Sequence, residues 1–173
     1  MSGEKRREYI IRKLQKSTRP ITGKMLADET GVSRQVIVTD IALLKTSNEP
    51  IIATNRGYLY MQDQPDETLI RKVIICNHTP EQAQEELEII VDCGVTVVDV
   101  IVEHPFYGGL TGSLMLQSRY DVEQFIKAIS EQEASLLSEL TDGIHLHTIE
   151  ADSDEKLNEA CNRLKNAGIL YRE

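Results

Sequence analysis

The chain has 173 residues, 40% of them hydrophobic and 27% charged, which suits one ordinary domain or two small ones and excludes a disordered chain. No apolar run reaches the ~18 residues of a membrane-spanning helix, because Asp92, Asp99 and Glu103 interrupt the richest stretch. The charged start Glu4-Lys5-Arg6-Arg7-Glu8 has no signal-peptide core behind it, and Cys76, Cys93 and Cys161 form no Cys-x-x-Cys pair, so a cytoplasmic chain with reduced thiols is expected.

The net charge of −9 hides an asymmetry. Residues 1–61 hold 11 Lys/Arg against 6 Asp/Glu, a net +5, while residues 62–173 hold 8 against 22, a net −14. A small basic unit is joined to a larger acidic one, and only the first suits a polyanion. In the basic unit, Tyr9, Ile10, Ile11 and Leu14 fall at helical spacing among charges between Glu4 and Lys16. Ile21 to Glu29 predicts a second short helix. Gly31 supplies a tight turn, and Ser33 the N-cap of a third helix running to about Lys45, with Ile37, Ile41 and Leu44 inward. Ile51 to Thr54, the turn Asn55-Arg56-Gly57 and Tyr58 to Met61 signal a hairpin.

Three helices with a Gly turn before the third, followed by a hairpin, make a winged helix-turn-helix over residues 1–62. The third helix would enter the major groove, with Ser33, Arg34 and Gln35 at its start and Val38, Thr39 and Ala42 along its outer face. Arg34 and Gln35 have donors for purine edges. Lys5, Arg6, Lys24, Lys45 and wing residue Arg56 are candidates for phosphates, which set register without reading sequence. The alternative is a protein–protein module whose basic residues are an ordinary solvated face.

Asp63 to Glu67, with Pro65, reads as a linker, and residues 68–173 as a second domain. Ile70 to Asn77 predicts a strand. Thr79-Pro80-Glu81-Gln82 is a capping box that opens a helix with Ala83, Leu87, Ile90 and Val91 inward and Gly94 at its end. Val95 to Glu103 and Gly109 to Gln117 follow as strands. Ser118 caps a helix with Val122, Phe125, Ile126 and Ile129 inward, Gly143 to Ile149 is a fourth strand, and Ser153 caps a last helix. The order β-α-β-β-α-β-α predicts a two-layer α/β sandwich on a mostly antiparallel sheet, giving an α+β chain.

All four histidines, His78, His104, His145 and His147, fall in the acidic domain at or beside predicted strands. His145-Leu146-His147 puts two imidazoles on one face of a strand, a bidentate start for Zn²⁺ or Ni²⁺. Glu86 lies on the flank of the buried face of its helix, where a carboxylate needs a cation, and His78 precedes that helix. Because helices would cover one face of the sheet, Glu86 can meet the pair only near a sheet edge or end. A solvated or hydrogen-bonded strand pair is the blander alternative.

His104-Pro105-Phe106-Tyr107 places an imidazole, a phenyl and a phenol on one turn in a chain with eight Phe and Tyr in all, a grouping suited to stacking a flat heterocycle. Arg119, in the first turn of the helix capped by Ser118, suits a small carboxylate. Core or dimer packing of Phe106 and Tyr107, with Arg119 solvated, remains the alternative.

Gly31-Val32-Ser33-Arg34-Gln35-Val36-Ile37-Val38-Thr39-Asp40-Ile41, Pro50-Ile51-Ile52-Ala53-Thr54, Glu103-His104-Pro105-Phe106-Tyr107-Gly108 and Leu140-Thr141-Asp142-Gly143-Ile144-His145-Leu146-His147 together resemble the NiaR (YrxA-type) repressors of bacterial NAD biosynthesis and niacin uptake. These join a helix-turn-helix domain to a 3H domain, and the likeness covers nearly all of the chain. The resemblance implies an HPr-like sandwich and one divalent transition metal per chain, Ni or Zn, at His78, Glu86, His145 and His147. It also implies nicotinic acid as corepressor, for which His104, Phe106, Tyr107 and Arg119, read above, are the effector candidates; the chain as a whole is read as a homodimer on operator DNA. A metal-sensing repressor and a metal-dependent enzyme acting on a nicotinate derivative are the rivals; no motif positions a nucleophile for the enzyme.

Overall fold

In the computed structural model, which describes residues 1–61 and 68–171, the chain divides into two compact units, Met1–Pro65 and Asp66–Glu173. The linker read at Asp63 to Glu67 lies outside the described residues.

The first unit is α1 (Gly3–Gln15), α2 (Gly23–Thr30), α3 (Arg34–Thr46), β1 (Ile51–Thr54) and β2 (Gly57–Tyr60). Side-chain caps decide where its helices begin: Thr22 Oγ1 accepts the Met25 N–H at 3.1 Å and Ser33 Oγ the Val36 N–H at 3.4 Å. Gly31, at φ +68°, closes α2 in the left-handed conformation that only glycine adopts without strain. Ile10, Leu14, Leu26, Ile37, Ile41 and Leu44 bury one stripe of each helix, and Ile21 and Ile51 complete the core. Each such burial contributes about 1.5–3 kcal/mol, enough together to fix three short helices that would not persist alone. β1 and β2 form the expected antiparallel hairpin, and Ile21 bridges to Tyr58.

The second unit is β3 (Ile70–Asn77), a 3₁₀ turn (Pro80–Gln82) running into α4 (Ala83–Asp92), β4 (Thr96–His104), β5 (Gly108–Leu116), α5 (Arg119–Glu131), a second 3₁₀ turn (Leu137–Thr141), β6 (Ile144–Ala151) and α6 (Asp154–Asn166). The sheet order is β3-β6-β4-β5 with every pair antiparallel, so β6 is an inner strand. Leu87, Ile90, Val91, Val122, Leu157, Ala160 and Leu164 from the three helices share one core with Ile74, Val97, Leu114, Leu116 and Ile149 from the sheet. The helices therefore lie on one face, and Val73 and Ile75 on the other face are exposed. The chain after α6 returns beside β3, where the Asn77 N–H donates to the Ile169 carbonyl and the Tyr171 N–H to the Ile75 carbonyl, each at 2.9 Å.

Two local features position the site. β4 carries a bulge between Val97 and Asp99, which swings the Asp99 carbonyl toward β6. Gly143, at φ +98°, admits the start of β6 against the chain after β3, since a Cβ there would stand 2.5 Å from the His78 carbonyl oxygen.

Candidate functional site

On α3 the buried row Ile37, Ile41 and Leu44 leaves Arg34, Gln35, Val38, Thr39 and Ala42 exposed on the opposite side, the arrangement that a groove-reading helix needs. Lys24 and Lys45 are exposed, Arg56 is half-buried at the hairpin turn, and Ser33 is exposed while its hydroxyl caps the helix. Arg6 departs from the expectation of a phosphate contact. Its Nε donates to Asp40 Oδ2 at 2.5 Å, with Arg7 Nη1 at 3.4 Å from Oδ1. Asp40 is only 2% exposed, and a buried carboxylate holds its cation against competition from solvent phosphate.

In the second unit, strand alternation turns His145 and His147 inward with Ile149, onto the helix-covered face and near the starting end of β6. Glu86, in the first turn of α4, descends onto them from the helix layer, and His78 closes the group from the end of β3. All four are buried. Glu86 Oε2 lies 2.6 Å from His78 Nε2, and Oε1 lies 2.9 Å from His145 Nε2 and 3.3 Å from His147 Nε2. Nδ1 of His78 meets the Thr79 carbonyl at 2.7 Å, Nδ1 of His145 the Gly143 carbonyl at 2.8 Å, and Nδ1 of His147 the Asp99 carbonyl at 2.7 Å. A carbonyl only accepts, so all three Nδ1 atoms carry protons and all three Nε2 atoms converge on one carboxylate.

This is the arrangement that metal-ligating histidines use, with the outer nitrogen anchored to the backbone and the inner one aimed inward. Toward Glu86, each Nε2 is either the N–H of an imidazolium or a lone pair that needs a cation between it and the carboxylate. Burial works against charge on His78 and His147, but the bonds and charge of Glu86 outweigh it and raise both above the ordinary histidine value. Burial likewise disfavours the Glu86 anion, and the charge of His147 with the three imidazole contacts overrides it, holding the carboxyl well below its ordinary range. His147 Nε2 is buried and makes no hydrogen bond. A buried ring nitrogen that makes no hydrogen bond, aimed at a buried anion shared with two more imidazoles, fits a divalent ion.

Cys76 joins this group and escaped the sequence reading. It pairs with His145 across β3 and β6, and its thiol is pushed up by burial and by the neighbouring Glu86 charge. The signal that finds it is strand register, which the sequence does not print.

The residues read as effector contacts do not form one site. His104 is half-buried and accepts the N–H groups of Phe106 and Tyr107 at Nδ1, at 3.2 and 3.3 Å, while the Phe106 and Tyr107 rings are 89% and 78% exposed. Arg119 forms a bidentate pair with Asp92 at 2.8 and 2.6 Å and approaches Glu88. The turn precedes β5 and Arg119 follows it, so a nine-residue strand, about 27 Å at ~3.4 Å per residue, separates them. A recess of about 510 Å³ instead opens beside the centre, lined by Asn77, His78, Pro80, Gln82, Ser138, Asp142 and neighbouring residues.

Comparison with known proteins agrees with this division. Residues 6–59 match the model of an HTH domain and residues 71–173 that of the 3H domain. The chain is 47% identical over 174 residues to the transcription repressor NadR of Bacillus subtilis (strain 168), covering all of this chain and 97% of that protein. It is 38% identical over 170 residues to the probable transcription repressor NiaR of Thermotoga maritima, covering 98% and 95%.

Proposed function

The chain belongs to the family of transcription repressors that join an HTH domain to a 3H domain, and from that premise we propose that it represses genes of NAD biosynthesis and niacin uptake, with nicotinic acid as corepressor sensed beside a divalent metal. It is a DNA-binding repressor and not an enzyme. The observation that carries the finer reading is the convergence of three imidazole Nε2 atoms on the buried Glu86, in a chain whose other unit exposes a recognition row on α3.

His78, Glu86, His145 and His147 would hold one Ni or Zn ion, which supplies positive charge and an exchangeable position for a ring nitrogen or carboxylate. The residues of the chain do the rest. Thr79, Gly143 and Asp99 fix the three tautomers, and the recess beside His78 admits a small polar heterocycle. Effector binding favours the DNA-competent arrangement only if that arrangement binds it more tightly. A homodimer gives the two recognition helices the spacing of paired half-sites.

A thermal-shift series with nicotinate and nicotinamide, each with and without chelator, tests this reading. Nicotinate is expected to raise the midpoint only in metal-loaded protein, and nicotinamide to bind at least ~10-fold more weakly for want of a charge-assisted contact. A nicotinate shift that survives chelation removes the metal from the sensing role. A metal-induced gain in DNA binding without any nicotinate response makes the ion itself the signal.

A further inference from the structure

The centre contains a residue beyond its three imidazoles and carboxylate. The Cys76 sulfur, a Glu86 carboxylate oxygen and a His145 ring nitrogen all lie within 4.8 Å of one another. Cys76 is fully buried, and His145 and Glu86 are each 2% exposed. The cause is topological: Cys76 on β3 and His145 on β6 are partners in the ladder, and both point into the face that α4 covers. A second observation lies beside it, since His147 Nε2, equally buried, makes no hydrogen bond and stands 3.3 Å from Glu86 Oε1. Cys93 and Cys161 are half-buried and belong to no such group among the described residues.

We propose that Cys76 is a further ligand of the divalent ion held at Glu86, His145 and their neighbours, making the centre a thiolate, imidazole and carboxylate site. A thiolate donor selects thiophilic ions such as Zn²⁺, Ni²⁺ or Co²⁺ over hard ions such as Mg²⁺ and Mn²⁺. Cys76 enters the centre as a free, buried thiol. As the sulfur–metal bond forms, the S–H bond breaks and its proton leaves to solvent, so uptake releases one proton more than an imidazole–carboxylate site would. This inference rests on the metal reading above and deepens it.

Cobalt(II) substitution of the metal-free full-length chain separates the two. The wild type is expected to show visible d–d bands together with a near-ultraviolet thiolate-to-cobalt charge-transfer band. Cys76→Ser keeps the d–d bands, loses the charge-transfer band and binds cobalt at least ~10-fold more weakly. The double variant Cys93→Ser/Cys161→Ser keeps both signals, so if Cys76→Ser fails to fold, this variant alone assigns the band to Cys76. Bound cobalt without a charge-transfer band in the wild type, or a band that survives Cys76→Ser, overturns the thiolate ligand and leaves the histidine site standing. Absence of any cobalt uptake by the wild type overturns the metal reading and this inference with it.

Discussion

Asp40 in the first unit and Glu86 in the second are each only 2% exposed, yet the two units answer the buried charge differently. Asp40 takes guanidinium groups from Arg6 and Arg7, cations that never lose their proton. Glu86 takes three imidazoles, each neutral or charged as its surroundings decide, and each with a lone pair that a metal can use. A carboxylate held by arginine is closed to exchange and serves to fix α1 against α3. One held by histidines is complete only with protons or an ion, and so depends on conditions outside the fold. The HTH unit is built on the first kind of contact and the proposed sensor on the second.

Removing each carboxylate sharpens this difference most. Asp40→Ala leaves Arg6 charged without its partner and is expected to cost the first unit about 3–5 kcal/mol in denaturant unfolding, whether or not metal is present. In chelator, Glu86→Ala is expected to cost less, because the imidazoles can shed their protons. With metal the cost of Glu86→Ala rises by up to about 2.7 kcal/mol at a hundredfold excess over Kd, because the wild type gains that much and the variant gains little, while the cost of Asp40→Ala is unchanged. Equal responses to metal in the two variants would break the comparison.

Next in size are Arg34→Ala and Gln35→Ala, each expected to weaken binding to cognate DNA by about 1–3 kcal/mol and random DNA much less, measured by competition titration. Equal losses on both would move these residues from base reading to phosphate contact. The smallest effect is a pH dependence in chelator. The raised His78 and His147 contribute stability that is full below the ordinary histidine value of 6.5 and is lost as pH climbs through their folded values. The lowered Glu86 contributes stability present above the ordinary carboxylate value of 4.5 and lost as acid protonates it in the fold. Stability of the second unit is therefore expected to be greatest between those ordinary values and to decline toward alkaline pH, whereas metal affinity rises with pH. The first unit contains no histidine, and a matching alkaline decline there would count against this assignment.

The same contrast explains what was legible in the sequence. Local patterns carried the first unit almost whole, because the Ser33 cap, the Gly31 turn and the 3.6-residue stripe are short-range signals, whereas the Thr22 cap lies inside the helix expected from Ile21 and escaped that reading. In the second unit they also gave every strand, the helix caps Ser118 and Ser153, the shared face of His145 and His147, and Glu86 on the flank of its helix, but not that the histidine face is the buried one. What they could not give is register. Cys76 meets His145 only because β3 and β6, nearly 70 residues apart, pair at that step, and the Asp99 carbonyl reaches His147 only through a bulge. Nor could they give the partners of Arg119 and Arg6, because Asp92 across the helix layer and Asp40, 34 positions away, are invisible in the segments that carry the two arginines.

The most direct test of regulated DNA binding through the imidazole centre is the affinity of the full-length chain for its operator, titrated with nicotinate in metal-loaded and chelated protein at fixed salt. Nicotinate is expected to tighten binding of the metal-loaded protein several-fold and to leave chelated protein and His145→Ala unchanged. An identical response in all three would contradict a sensing role for the centre, and no response in any would remove nicotinate as the signal.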